Sequence, residues 1–98
     1  LHPGKILTKH YLRYMSKIIK TIYQEHGEIS SVEDHNFKVF ICYDGDSKYS
    51  GYYKDFLINN VHPTERYKIT VGTKITYCEY YEDNQFGTRK HCLGIIFK

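Results

Sequence analysis

The spacing of apolar residues changes once along this chain, and the change divides it in two. Before Gly27 the apolar positions Leu7, Tyr11, Tyr14, Met15, Ile18, Ile19, Ile22 and Tyr23 recur every three or four residues. That is the period of a helix with one buried stripe. At about 100° per residue, Lys5, Lys9, Arg13, Lys17 and Lys20 fall in an arc opposite the stripe, and no acid precedes Glu25. Pro3 suits a first helical turn and Gly27 a stop. The pattern predicts one amphipathic helix from Pro3 to Gln24. Leu7, Tyr11, Met15, Ile18 and Ile22 are expected to be buried, and Lys9, Arg13 and Lys17 exposed.

After Gly27 the period is two, as in strands with one face in a core. Residues 27–32, 36–43, 52–61, 67–81 and 88–97 read as strands, the fourth interrupted at Gly72. Asp44-Gly45 and Gly51 mark a turn, Pro63 opens a loop, and residues 82–87 make the last turn. The 98 residues suffice for one domain with one modest core. A helical unit at 1–25 and a barrel or rolled sheet at 27–98 are expected within it. No apolar run approaches the ~18 residues of a spanning helix, so no integral membrane association is expected. The first residue is Leu1, which reads as a fragment or processed form.

Three stretches carry a family likeness. Residues Asn36-Phe37-Lys38-Val39-Phe40-Ile41 align with a K-G-F-G-F-I type second strand. Residues Asp55-Phe56-Leu57-Ile58-Asn59-Asn60 align with a D-V-F-V-H-F type third strand. Residues Gly72-Thr73-Lys74-Ile75-Thr76-Tyr77 align with a fourth strand beginning G-x-x-V-x-F. In this order the segment 27–97 resembles a cold-shock domain, an OB-fold barrel. Lys38 and Val39 stand where that family has an aromatic and a glycine, and Leu57 and Asn59 where it has an aromatic and a histidine. The resemblance implies a mostly β fold: a small five-stranded OB-like barrel, capped or flanked by one N-terminal α-helix. It also implies binding of single-stranded nucleic acid.

The residues themselves allow that reading. The chain has 11 Tyr and 5 Phe, so aromatic rings are available beyond a small core's need. Strand alternation sets Lys38, Phe40 and Cys42 on one face and Val39 and Ile41 on the other. The third strand offers either Lys54, Phe56 and Ile58 or Asp55, Leu57 and Asn59 beside them. Aromatics interleaved with lysines suit a stacking platform for unpaired bases. The candidate nucleic-acid-binding set is therefore Lys38, Phe40, Tyr49, Tyr52, Tyr53, Lys54, Leu57 and Asn59. The competing reading takes the same rings as ordinary strand residues. The basic helix face of Lys9, Arg13 and Lys17 can meet an anionic membrane surface, track phosphates, or solvate a helix whose apolar stripe caps the barrel. The last reading is preferred.

Chemistry is sparse. Six histidines form no HxxxH or HExxH pair and no CxxC exists, so neither a metal nor another cofactor is expected. His91-Cys92 and Cys42 make no credible nucleophile pair. Asp44, Asp46 and Asp55 lack the spacing of a calcium loop. Three cysteines, an odd count, favour a reducing, cytoplasmic setting, or a nucleoid or host-cell interior. A final hairpin centred on Gln85 sets Cys78 directly across from Cys92. The expected function is a non-enzymatic module for single-stranded nucleic acid or RNA. The alternative is a protein–protein interaction domain, a viral or bacterial factor gripping its partner through a Tyr-rich surface.

Overall fold

The computed structural model describes residues 5–43 and 50–98. In it the helical pattern is realised over less than half its expected length, as α1 (Lys9–Ile18). Thr8 is the N-cap: its backbone is extended and its Oγ1 accepts from the Tyr11 N–H at 3.0 Å. The helix stops at Ile19, also extended, because the next residues are claimed by a sheet. Ile18, Ile19, Thr21 and Ile22 are β-branched, which lowers the cost of leaving the helix. Tyr23 and Gln24 pair with Glu79 and Cys78 on a neighbouring strand. The helix expected to reach Gln24 is thus corrected, and Pro3 lies outside the described residues. Ile18 is corrected too, being 61% exposed, while Tyr11 and Ile22 are half-buried. Leu7 and Met15 are buried, and Lys9, Arg13 and Lys17 are exposed, as expected.

Five antiparallel strands follow: β1 (Tyr23–Val32), β2 (Asn36–Cys42), β3 (Gly51–Leu57), β4 (Lys74–Asn84) and β5 (Gly87–Phe97). Their order across the sheet is β3-β2-β1-β4-β5, and the sheet curls into a half-barrel of the OB-like kind. The third strand ends earlier than expected. Residues 58–60 and 63–68 form two short 3-10 helices, η1 (Ile58–Asn60) and η2 (Pro63–Lys68). The expected fourth strand begins only at Lys74, after a turn at Gly72. The curl has visible causes. Ser30 is an extra residue between the pairs Ile29↔Val39 and Ser31↔Lys38, and Leu93 is extra between Cys78↔Gly94 and Glu79↔Cys92. Each bulge bends its strand and sharpens the twist.

Alternation then sorts the side chains. The concave inner face buries Ile29, Phe37, Val39, Ile41, Phe56, Ile75, Tyr77 and Ile95, and η1 and η2 are followed by Val61 and Ile69 in the same core. Each fully buried side chain of this size contributes ~1.5–3 kcal/mol. The convex outer face carries a second cluster, Leu7, Met15, Cys78 and Leu93, with Tyr11, Leu12 and Ile19 against it. The helix therefore flanks the outside of β4 and β5.

The residues before α1 form a strap. The Leu7 N–H donates to the Ile95 carbonyl at 2.7 Å, and the Ile95 N–H to the Lys5 carbonyl at 2.9 Å, so Ile6 runs parallel to β5. Gly94 makes this approach possible. Its φ is +145°, and a Cβ there would collide with the Lys5 carbonyl oxygen and lie 3.1 Å from Leu7 Cγ.

The cysteine pairing is overturned. The last hairpin turns on Gln85 and Phe86, with Asn84 opposite Gly87, and the Leu93 bulge shifts the register again. Cys92 lies opposite Glu79 and Cys78 opposite Gly94. Cys78 belongs to the outer cluster, whereas Cys92 packs on the inner core, and both are free thiols.

Candidate functional site

Cross-strand register places Tyr53, Phe40, Glu28 and Lys74 in one row across the outer face of β3, β2, β1 and β4. The Phe40 and Tyr53 rings lie 5.1 Å apart at 55°, and Lys38 Nζ stands 5.9 Å from the Tyr53 centroid. Tyr53 is 63% exposed and Leu57 55%, while Phe40 and Lys38 are half-buried. The structure thus brings together Lys38, Phe40 and Tyr53 from the expected set, with Leu57 on the same face at the far end of β3, opposite Asn36.

The others go elsewhere. Tyr52 and Lys54 alternate onto the inner face, where Tyr52 pairs with Ile41 and Lys54 with Val39. Lys54 Nζ lies 5.8 Å from the Tyr77 centroid. These two residues are removed from the platform. Asn59 sits exposed in η1, beyond the end of the strand. Tyr49, like Asp44 and Asp46, lies outside the described residues.

The platform is electrically balanced. Glu28 pairs with Lys74 at 3.1 Å. Asp55 is the cross-strand partner of Lys38 and accepts from Asn36 Nδ2 at 3.4 Å. Positive charge is concentrated instead on the strap, α1 and the turn after it. Residues 5–24 carry five Lys and Arg and no acid, although the whole chain is only +3, so the remainder is net negative. Lys9, Arg13 and Lys17 point to solvent from a helix packed on the β4–β5 half of the outer face. The aromatic pair occupies the β2–β3 half. Strands lie ~4.8 Å apart, so rings and helix are offset by two to four strand spacings, roughly 10–20 Å measured along the sheet.

The inner face holds a second polar assembly, at the edges of the curled sheet. Glu79 is 1% exposed. Its Oε2 lies 2.9 Å from Lys90 Nζ, and its Oε1 accepts from Tyr81 Oη at 3.3 Å. Tyr52 Oη donates to Glu25 Oε2 at 3.2 Å and accepts from Lys90 Nζ at 3.4 Å. Lys90 on β5 therefore reaches Tyr52 on β3, joining by side chains two strands that share no backbone ladder. Burial, and then the charge of Glu79, raise the Glu25 carboxyl above its ordinary value. Burial and Glu25 push the Tyr52 phenol well above the usual range. Burial works against the Lys90 charge, but its hydrogen bond to Glu79 more than offsets this and holds the ammonium above its ordinary value. Tyr77 is also raised, by burial and by its hydrogen bond to Cys92 Sγ at 2.6 Å.

The helical spacing that runs up to Gln24 places Glu25 at a helix end and so hides this assembly in the sequence. One signal was present. Glu79 follows Ile75 and Tyr77 in the same alternating phase, so the fourth strand places an acid on its core face.

Among the described residues no group of three or more His, Cys, Asp or Glu side chains is placed to hold a metal ion, and no helix is long and apolar enough to cross a membrane. No family model matches the chain, and no curated protein or solved structure shows significant similarity to it.

Proposed function

We propose that this chain is a non-enzymatic binding module for single-stranded nucleic acid or RNA. The observation that carries the reading is the pairing, on one outer sheet face, of the exposed Tyr53 ring and the half-buried Phe40 ring beside it with the acid-free basic helix. Bases stack on Phe40 and Tyr53, a contact that any base can make. Lys38 lies beside them, and Lys9, Arg13 and Lys17 neutralise phosphates further along the strand. The spacing between rings and cations suits a strand crossing the sheet, within the ~4–16 nucleotides one OB fold engages.

Fluorescence anisotropy with labelled oligo-dT and oligo-U at low salt tests the stacking. Phe40→Ala and Tyr53→Ala are each expected to weaken binding by ~1–3 kcal/mol with the domain still folded. Tyr67→Ala, at a ring 74% exposed and away from the platform row, is expected to change nothing. Absence of oligonucleotide binding at low salt overturns the reading.

A second reading, a protein partner gripped by the same rings, is favoured by the balanced charge around them. An interface built on Tyr53 and Leu57 responds little to salt, whereas phosphate contacts weaken steeply with it.

A further inference from the structure

A cavity of about 500 Å³ lies between the strap, the start of α1, the η1–η2 segment and the end of β5. It exists because the sheet does not close there. β3 gives way to η1 at Leu57, and the strap rather than β3 pairs with the end of β5. Ile6, Ile96 and Phe97 line it with apolar carbon, and Lys9, Lys68 and His62 line it with cationic or donor groups. Its volume falls within the range of small-molecule sites, and an apolar lining with few polar groups is their usual character.

The polar groups share one preference. His62 Nδ1 is engaged by Thr64, lying 2.8 Å from its Oγ1 and 3.3 Å from its backbone nitrogen, so Nε2 is the ring nitrogen left for a ligand. Lys68 is held by Glu65 at 2.8 Å, and Glu65 is the one acid in the lining. The Lys5 ammonium lies 4.3 Å from the Tyr11 ring, outside the lining, so Lys9 and Lys68 against the Glu65 carboxylate leave the cavity with an unbalanced positive charge over an apolar floor.

We propose that this cavity binds a small amphipathic carboxylate, its chain against Ile6, Ile96 and Phe97 and its head among Lys68, Lys9 and His62. The site is separate from the aromatic platform and shares only Lys9 with the cations proposed to meet phosphates.

The test is a titration with decanoate below its micellar concentration, followed by amide chemical shifts of the whole chain. Saturable shifts are expected at Ile6, Leu7, Lys68, Ile96 and Phe97, and none at Phe40 or Tyr53. Decanol, with the chain but no charge, and acetate, with the charge but no chain, are each expected to bind at least about tenfold more weakly. Lys68→Glu is expected to lose about tenfold in affinity, and Glu65→Gln, which releases Lys68, to gain affinity. Both positions are at the surface of η2, so the fold is retained in each variant. Equal binding of decanol, shifts at the platform instead of the cavity, or no saturable binding would overturn the proposal.

Discussion

Replacing Gly94 by alanine sets the strap against the sheet. The new Cβ collides with the Lys5 carbonyl oxygen and lies 2.9 Å from its carbon, at a φ of +145° that side chains rarely adopt. The chain can keep the strap and accept the clash, or release it. Release costs two backbone hydrogen bonds, at about 1 kcal/mol each. It exposes Leu7, now 3% exposed, for ~2 kcal/mol more, and half-buried Ile6 for ~1. Three residues recover backbone freedom, returning ~3 kcal/mol. The strained φ itself costs ~1–3 kcal/mol in either state of the strap. The expected net loss is ~3–5 kcal/mol, and it is capped because release is always open to the chain. Urea denaturation measures the stability, and hydrogen exchange at the Leu7 amide reports the strap. A loss below ~1 kcal/mol with Leu7 still protected would refute the reasoning, since it would mean that Gly94 does not create the passage for residues 5–7.

Ile18→Asp is expected to change stability by no more than ~0.5 kcal/mol, because Ile18 points to solvent; a loss of several kcal/mol in a thermal melt would restore the longer buried stripe. Glu25 titrates above its ordinary 4.5 in the fold, so folding takes up a proton between that value and the raised one, and stability falls as pH rises through the window. Glu25→Gln keeps an acceptor for Tyr52 and lowers the repulsion with Glu79, leaving Lys90 to Glu79 alone. It is expected to flatten the stability profile from pH 4.5 upward and to lose no stability at pH 7; a clear loss at pH 7 counts against this account of the inner assembly. Burial raises the Cys78 thiol from 9.0 to about 11, so its contribution to stability is lost as pH climbs above 9.0. Thiol titration is expected to find three free thiols after denaturation without reductant and a slow Cys78 in the folded protein; a single free thiol would contradict the register.

The strands were legible because their chemistry repeats locally. Phe37, Val39 and Ile41 alternate with Lys38 and Phe40, and that is how the structure sorts them. Partial order was legible at the helix: Met15 inward and Lys17 outward follow from period alone. Its end was not, because Ile18, Ile19, Ile22 and Tyr23 continue a helical spacing by coincidence while β4 competes for the same backbone. A tertiary ladder decided that contest, and no local signal records it. The same limit hid the register of the last hairpin. Its loop holds two residues, Gln85 and Phe86, so Cys92 already faces Glu79, and the bulge at Leu93, on which the strap and helix pack, then moves Cys78 opposite Gly94. Of the expected site, the alternation of β2 was right. Tyr52 and Tyr53 were grouped although neighbours on a strand face opposite ways, and register with Phe40 was needed to choose between them.

The two halves of the outer face make separable contributions, and salt titration of oligo-dT binding distinguishes them. For the native chain, log Kd is expected to rise with log salt by about 0.7 for each phosphate neutralised on a single strand. Changing Lys9, Arg13 and Lys17 together to Gln is expected to lower that slope by about 2, since three contacts go. Phe40→Ala is expected to weaken binding and leave the slope unchanged, because stacking releases no counterions. A slope that the triple substitution does not move, or binding that ignores salt altogether, would contradict the assignment of the phosphates to α1 and of the bases to the platform.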